Sequence, residues 1–269
     1  MLNTKGIKII FAATVFRVLL NMRLPAIAYP GGKARLAKNI VAVLPPTGGI
    51  FVDLFAGRGN VYFAAVASGL QYREWWINDI QTAPFFEAIK NIGGTLTVPP
   101  RSREEYYRQW ELFKQDDPTA IVLEPFLTFS GGGYGSGGPG GKKGASAESY
   151  QKTLRECHRL LTTTVTRITA LDWKVVSLEQ LSPEDTVYLD PPYYNADVRS
   201  YGNDFDHVGM VKALKDAKFR WLLSEYRQEF YMSAFGEPFF IKDVQLVGTD
   251  YSLANGGKER RIECMWKNY

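Results

Sequence analysis

Cysteine is scarce in this chain, and its scarcity argues against two classes of protein. The 269 residues contain two cysteines, Cys157 and Cys264, which are far apart and show no paired spacing. We therefore expect neither a disulfide framework nor a zinc site, and we interpret His158, beside Cys157, as an ordinary helix residue. The prediction is a protein without a metal that works in a reducing cytoplasm.

Long hydrophobic runs are also missing near the amino terminus. The apolar stretch 9–16, between Lys8 and Arg17, is too short to span a bilayer and has no small-residue cleavage site. We expect no membrane association. Residues 1–21 form a leader whose role stays open, either an upstream translation start before Met22 or a small docking helix.

Two signatures of common enzyme classes are absent as well. Gly32-Lys33 is followed by Ala34, and the Gly-Lys pairs at 141–142 and 257–258 lack the upstream glycine and downstream hydroxyl of a phosphate-binding loop. This pattern disfavours a nucleoside triphosphatase. No cysteine follows a proline as the nucleophile for methylating a ring carbon would, whereas methyl transfer to nitrogen needs no covalent intermediate.

What is present is a chain able to bury a full core. It is 45% hydrophobic and 14% aromatic, and its length suits one domain with an insertion better than two independent domains. The net charge of +4 and the pI near 8.9 suit an anionic partner without requiring one.

A glycine turn lies between a predicted strand and a predicted helix. The apolar run 49–55 contains Asp53, and residues 56–60 turn the chain into a helix near Val61. Gly57 and Gly59 allow close approach of a ligand, and the helix amino terminus favours a carboxylate or phosphate. The next strand ends at Asn78-Asp79, where an acid commonly holds a ribose diol. Asp53 itself can hold the turn or touch the ligand.

A second acidic turn follows the apolar run 186–189. It reads Asp190-Pro191-Pro192-Tyr193, with Tyr194 next. Two prolines stiffen the turn and present carbonyls rather than N–H groups. The lone pair of an aromatic amine is delocalised, so methylation requires acceptors on both of its protons. Asp190 and the Pro191 carbonyl can supply these acceptors, and Tyr193 backed by Tyr194 can stack a base with about 1–3 kcal/mol.

Between these two turns the pattern changes. A capping box at 102–105 predicts a helix through Phe113, and further helices are expected over 120–129 and 148–161. Segment 131–146 holds nine glycines, with Tyr134, Lys142 and Lys143. It is either a flexible tether or a loop that becomes ordered on a polyanion through its lysines and backbone donors.

Strands and helices alternate in the remainder of the chain. Strands are expected at 167–171 and 220–224, helices at 207–218 and 229–235, and a closing hairpin at 239–247 and 260–269. This order predicts an α/β open sheet with an antiparallel finish. We expect a cofactor-binding half at 22–90, an inserted, mostly helical target-recognition region at 91–166 and a catalytic half at 167–269.

Several short motifs occur in an order typical of one family. From about residue 28 to the end, the chain resembles the Dam-like, D12 class DNA adenine-N6 methyltransferases in their alpha-type motif order. The motifs are Tyr29-Pro30-Gly31-Gly32-Lys33, the turn from Asp53 to Gly59, Asn78-Asp79, Asp190-Pro191-Pro192-Tyr193, residues 201–207, residues 221–226 and the closing residues 262–269.

The resemblance implies a Rossmann-like fold, with S-adenosyl-L-methionine as methyl donor and S-adenosyl-L-homocysteine as product. It further implies that the substrate is double-stranded DNA and that the enzyme acts as a monomer or weak dimer in the cytoplasm of a prokaryotic or a phage-infected cell. It assigns cofactor contacts to Tyr29, Gly32, Lys33, Asp53, Phe55, Gly57, Gly59, Asp79, Asp172 and Asp190. Asp172 is matched to the adenine end of the donor. From the residues alone, Lys33 can pair with a carboxylate near Asp190 or with the donor's methionine end.

One departure from the family bears on specificity. Similar enzymes carry an inserted hairpin with asparagines, an aromatic residue and arginines, whereas this chain has the glycine run 131–144. Side-chain readout supplies about 1–3 kcal/mol per base pair, which glycines cannot provide. We expect short or relaxed target recognition carried by phosphate contacts, with Tyr134, Lys142, Lys143 and Tyr194 on the nucleic acid. Alternatives are a cytosine-N4 or RNA adenine methyltransferase, a small-molecule methyltransferase, or a catalytically silent nucleic-acid-binding subunit.

Overall fold

The computed structural model describes residues 27–135, 138–140, 145–194, 205–246 and 259–269. The leader 1–21, Lys142, Lys143 and most of the motif at 201–207 lie outside these ranges. The chain divides into two compact units, one ending at Val176 and the other running from Ser177 to Tyr269.

The first unit is built on parallel strands. Strands β1 (Thr47–Asp53), β2 (Gln71–Asn78) and β3 (Thr166–Thr169) lie in the order β3-β2-β1. Helix α1 (Ala37–Val43) precedes β1, and helix α2 (Asn60–Ala67) connects β1 to β2. Because the strands are parallel, their carboxyl ends share one edge, and the pairings Asp53 with Ile77 and Asn78 with Thr169 place the polar residues there.

Aromatic side chains fill the space between this sheet and α2. Phe51, Tyr62, Tyr72 and Trp75 are buried, and their ring centroids lie 5.3–5.8 Å apart at steep interplanar angles. Burial of one such side chain contributes about 1.5–3 kcal/mol. The strand that leads into the glycine turn is thus fixed by its packing.

Helices α3 (Ala83–Ile92), α4 (Arg103–Phe113), α5 (Pro118–Leu127) and α6 (Ala147–Thr163) separate β2 from β3. The predicted start of α4 is confirmed, since the Ser102 hydroxyl caps the helix by accepting a hydrogen bond from the Glu105 amide at 3.0 Å. Helix α5 begins two residues earlier than expected because Asp117 caps it, accepting from two amides, with Pro118 as the first helical residue. The inserted region is mostly helical, as predicted.

The second unit contains strands β4 (Thr186–Leu189), β5 (Arg220–Tyr226), β6 (Phe240–Leu246) and β7 (Glu259–Lys267) with helices α7 (His207–Lys215) and α8 (Glu229–Phe235). Its strand order is β4-β5-β7-β6. Strand β4 is parallel to β5, whereas β7 is antiparallel to both β5 and β6. The predicted mixed α/β class with a closing antiparallel hairpin is confirmed.

Two kinds of feature are absent from the part of the chain that the structure describes. No helix in the described ranges is both long enough and apolar enough to cross a membrane. No group of three or more His, Cys, Asp or Glu side chains in the same ranges is placed so that it could hold a metal ion.

Candidate active site

The glycine turn after β1 takes a backbone path that favours glycine at two positions. Gly57 and Gly59 have φ of 53° and 72°, in the left-handed region. A Cβ on Gly57 would lie 2.9 Å from the Tyr29 ring, and one on Gly59 would lie 2.7 Å from Phe86. The turn is therefore enclosed by aromatic rings, with Phe55 half-buried beside it.

The segment 29–33 forms a tight turn beside the glycine turn. The Gly32 amide donates to the Tyr29 carbonyl at 3.0 Å, and Gly31 has a φ of 74°. Proline followed by glycine with positive φ is the pattern of a type II turn. Lys33 is 7% exposed, and its Nζ donates to the Gly31 carbonyl at 3.0 Å. Thus the structure brings Tyr29, through its ring, directly against Gly57.

Asp79 lies at the carboxyl end of β2 and ties two loops together. Its Oδ2 accepts from the Gly57 amide at 2.9 Å, and its Oδ1 accepts from the amides of Gln81 and Thr82 at 2.9 and 2.8 Å. The Thr82 hydroxyl in turn donates to the Gly57 carbonyl. The half-exposed carboxylate is thus held rigidly next to the glycine turn.

Asn78, which was not among the predicted site residues, joins the ends of the neighbouring segments. Its side-chain amide donates to the carbonyls of Leu54 at 3.1 Å and Leu171 at 3.0 Å, and its Oδ1 accepts from the Leu171 amide. The contact places the exposed residue Asp172 at the same sheet edge. Asp172 itself caps a short 3-10 helix through the Lys174 amide at 2.9 Å.

Asp53 is buried and supports the turn from below. It is 1% exposed, and its Oδ2 accepts from the Tyr62 amide in the first turn of α2 at 3.2 Å. Of the two roles that the sequence left open for Asp53, this geometry favours holding the loop.

In the second unit, the acidic turn follows a strand that is buried at every position. Pro191 is buried, whereas Asp190, Pro192, Tyr193 and Tyr194 are half-buried. The Tyr193 hydroxyl donates to Glu263 Oε2 at 2.7 Å, and its ring meets Tyr226 edge to face with centroids 4.3 Å apart. Burial, followed by the charge of Asp190, raises the pKa of Tyr193 well above its usual value, so the phenol stays protonated.

Glu225 on β5 anchors the far end of this turn. Its side chain is inaccessible to solvent, and its carboxyl oxygens accept from the amides of Tyr194 at 3.0 Å and Tyr226 at 2.7 Å. Burial, and to a smaller degree the charges of Asp190 and Glu263, raises the pKa of Glu225 to about 9 against the lowering effect of the two amides. Glu225 is therefore neutral at physiological pH.

The ring of Tyr194 packs in an aromatic cluster. It is parallel to Phe230 at 4.9 Å and meets His207 edge to face at 5.1 Å. His207 Nδ1 lies 2.6 Å from the Tyr231 hydroxyl, and burial lowers the pKa of His207 to about 4. His207 is thus neutral at physiological pH and packs between Tyr194 and Tyr231.

Tyr134 lies against the inserted helices. Its ring contacts Tyr106 at 5.4 Å and Phe113 at 5.2 Å, and its hydroxyl donates to the Ala120 carbonyl at 3.3 Å. Burial raises its pKa. The glycine-rich segment is anchored to α4 and α5 by this side chain, and a nucleic-acid contact by Tyr134 stays a prediction.

The sequence reasoning missed the buried acids around the acidic turn. Glu225 follows the apolar residues 221–223 of β5 and is buried like them, and a buried acid in a strand is itself a signal of a special site. Glu263 carries a weaker signal because it follows a stretch of charged residues. Their positions depend on the pairing of β5 with β7, in which Tyr226 lies opposite Glu263.

The chain thus carries the glycine turn in the first unit of its α/β fold and the acidic Pro-Pro turn in the second. The family profile of the D12 class N6 adenine-specific DNA methyltransferases matches residues 29–235. This is more than half of the chain, and the chain therefore belongs to that family. It is accordingly an S-adenosylmethionine-dependent DNA adenine methyltransferase, and DNA is its substrate class.

Comparison with other proteins adds little to this assignment. The rRNA methyltransferase AviRa from Streptomyces viridochromogenes is similar over 93% of this chain and 89% of its own, with 17% identity and a TM-score of 0.40. A similarity at that level carries no argument about the reaction. A search of curated proteins found no match to the chain.

Proposed function

We propose that this enzyme flips an adenine out of double-stranded DNA and methylates its N6 amine by direct in-line displacement. The observation that carries the proposal is the construction of the acidic turn. Asp190 and Pro191 follow a fully buried strand, two prolines stiffen the backbone, and Glu225 and Glu263 hold the residues that come next. An acceptor pair held this firmly suits the preorganisation that such a reaction needs.

In this proposal Asp190 and the Pro191 carbonyl accept hydrogen bonds from the two amine protons and draw the nitrogen toward tetrahedral geometry. The amine proton becomes acidic only after transfer, so Asp190 need not be a strong base. Pro192 stiffens the turn, and Tyr193 and Tyr194 contribute aromatic surface to the extruded base. In-line displacement requires donor and amine to meet without a covalent enzyme intermediate.

The residues of the first unit fit S-adenosylmethionine, which supplies an electrophilic methyl group on a sulfonium. A Cβ at Gly57 would lie 2.9 Å from the Tyr29 ring, so there is no room for a side chain at this position of the turn. We assign Tyr29, Gly32 and Lys33 to the methionine end and Asp79 to the ribose. Phe55, Gly57 and Gly59 form the cradle, Asp172 serves the adenine end, and Asp53 supports the turn.

Substrate selection is proposed to depend on phosphate contacts rather than on base readout. The inserted region contributes the glycine-rich segment 131–146, in which Pro139 forms an antiparallel bridge with Thr128, the residue that follows α5. Lys142 and Lys143 follow it in sequence and are assigned to phosphates. We infer short or relaxed sequence recognition by a monomer or weak dimer in the cytoplasm.

The decisive experiment is expression in a host without endogenous methylation, followed by direct sequencing of modified bases and digestion of the DNA to nucleosides. N6-methyladenine at short or degenerate sites is expected. A single long recognition site would contradict the relaxed specificity, and N4-methylcytosine would contradict the choice of base.

Base stacking is tested separately from donor binding. Tyr193→Ala should weaken DNA binding by about 1–3 kcal/mol, the value of one aromatic stacking contact, and leave the affinity for S-adenosylhomocysteine nearly unchanged. Fluorescence of a 2-aminopurine at the target position reports extrusion of the base. Phe239→Ala, which removes an exposed aromatic side chain outside the residues assigned to the site, is the control. An equal loss in both variants would remove Tyr193 from the site.

A further inference from the structure

Arg58 lies between Gly57 and Gly59 in the glycine turn, yet its side chain is only 10% exposed. Its guanidinium forms an ion pair and a hydrogen bond with Glu124 on α5, whose side chain is 2% exposed. The guanidinium also lies over the ring of Phe85, 4.3 Å from its centroid, and 5.7 Å from the centroid of Tyr29. The charged side chain of Arg58 therefore extends from the glycine turn to helix α5 of the inserted region.

Stability does not account for this buried pair. Removing two charges from water costs several kcal/mol per ion, and well-packed apolar residues often replace such a pair with no loss of stability. A buried pair is better explained where it fixes one arrangement of two segments. Here it joins the glycine turn to a helix that follows 66 residues later in the chain.

The Glu124 carboxylate also contacts Thr128, which lies between α5 and the glycine-rich segment 131–146. The Thr128 hydroxyl lies 3.2 Å from Glu124 Oε1 and 2.9 Å from the Glu124 carbonyl. Thr128 forms the antiparallel bridge with Pro139, and the Gly140 amide donates to the Leu127 carbonyl at 2.6 Å. The Glu124 carboxylate thus contacts both Arg58 in the glycine turn and Thr128, which pairs with Pro139 of the glycine-rich segment.

A second connection runs through the backbone. Gly131 has a φ of 69°, and a Cβ there would lie 2.2 Å from the Ala28 carbonyl oxygen. Ala28 directly precedes Tyr29, whose ring covers Gly57. The first residue of the glycine-rich segment therefore lies against Ala28, directly before the turn 29–33 whose Tyr29 ring covers Gly57.

We propose that Arg58 and Glu124 are positioning residues that couple binding of the methyl donor to binding of DNA. The inference rests on the proposed function, which places the donor at the glycine turn and DNA at the glycine-rich segment. A donor that fixes the turn also fixes Arg58, Glu124 and Thr128, and so favours one arrangement of Thr128 with its partner Pro139. By linkage, DNA then tightens donor binding by the same factor.

The test measures this factor directly with S-adenosylhomocysteine, which binds without turnover. Its Kd is measured by calorimetry with and without a saturating unmethylated duplex, and the Kd of the duplex is measured by fluorescence anisotropy with and without S-adenosylhomocysteine. The wild-type protein is expected to show the same ratio in both experiments, about 5-fold or more. The apolar double variant R58M/E124L should fold, bind S-adenosylhomocysteine alone within about 3-fold of wild type, and show a ratio near 1.

Two further variants keep the result unambiguous. Thr128→Val removes only the hydroxyl contact to Glu124 and should give an intermediate ratio even if the double variant fails to fold. R159Q/E156Q removes an exposed ion pair on α6 and should leave the ratio unchanged. A wild-type ratio of 1, or an unchanged ratio in both R58M/E124L and Thr128→Val, would overturn the coupling alone. Failure of the wild-type protein to bind S-adenosylhomocysteine or DNA would overturn the proposed function as well.

Discussion

The proposed donor half, in the first unit, and the proposed acceptor half, in the second, hold their residues by different means. Around the glycine turn, backbone conformation and close aromatic packing set the geometry, as Gly57 and Gly59 show. Around the acidic turn, buried carboxyl groups set it, because Glu225 and Glu263 bind Tyr194 and Tyr193. The difference teaches that the first half should be sensitive to shape and the second to charge and pH.

The largest effect is expected from removing the acid that the acceptor half presents. Asp190→Ala should lower methyl transfer by at least about 100-fold, since it removes a preorganised acceptor from the reacting amine. Binding of S-adenosylhomocysteine should change much less, because all the other residues proposed to hold the donor belong to the first unit. Transfer is measured with a tritiated methyl donor, and Asp216→Ala, on exposed surface, is the control. Retained activity in Asp190→Ala would refute its catalytic role.

The shape sensitivity of the donor half is tested next. Gly57→Ala would place a Cβ 2.9 Å from the Tyr29 ring, and we expect a loss of at least about 10-fold in donor affinity, or about 1.4 kcal/mol. Gly69→Ala is the matched control, because Gly69 also has a positive φ, 80°, but a Cβ there would meet nothing within 4 Å. Equal losses of donor affinity in the two variants would show that backbone strain alone, rather than contact with Tyr29, matters.

The charge sensitivity of the acceptor half should be measurable as a pH dependence of the free energy of unfolding. The pKa of Glu225 rises from 4.5 to about 9 on folding. Between these values the native state holds a proton that the unfolded chain has lost, so the free energy of unfolding falls as pH rises. Glu225→Gln should remove this slope between pH 5 and 9.

Thermal unfolding across that range measures the slope, with a melting temperature change of about 2–4 °C for each 1 kcal/mol. Glu237→Gln, which alters an exposed carboxylate, serves as the control and should keep the wild-type slope. An identical slope in wild type and Glu225→Gln would mean that Glu225 is ionised in the folded protein. The comparison between a shape-dependent half and a charge-dependent half would then fail.

The fold and the backbone of the site were largely predictable from sequence, because they depend on local patterns. The apolar run 186–189 and the glycine turn at 56–60 identify two strands and the turns after them, and the cap at Ser102 identifies a helix start. These signals involve residues that are close in the chain.

The buried contacts could not be predicted in the same way. Arg58 and Glu124 are 66 residues apart, and Tyr193 and Glu263 are 70 residues apart. Neither pair has a spacing that sequence patterns encode, since tertiary packing alone brings the partners together. The position of Tyr134 was equally unpredictable. An aromatic residue in a glycine-rich segment is expected to be exposed, whereas the ring of Tyr134 packs on α4.

The smallest effect is expected at His207, which tests whether acids alone make the acceptor half sensitive to pH. Burial lowers the pKa of His207 to about 4, so the ring is neutral above that pH, and its stabilising contribution, present above about 6.5, is lost as pH falls toward 4. The pH profile of kcat for His207→Asn should match that of wild type between pH 6 and 8. Tyr231→Phe, which removes the hydroxyl at Nδ1, should leave it unchanged too. An inflection near pH 6.5 that only His207→Asn abolishes would make the histidine a titrating participant, and the acceptor half would then depend on more than its carboxyl groups.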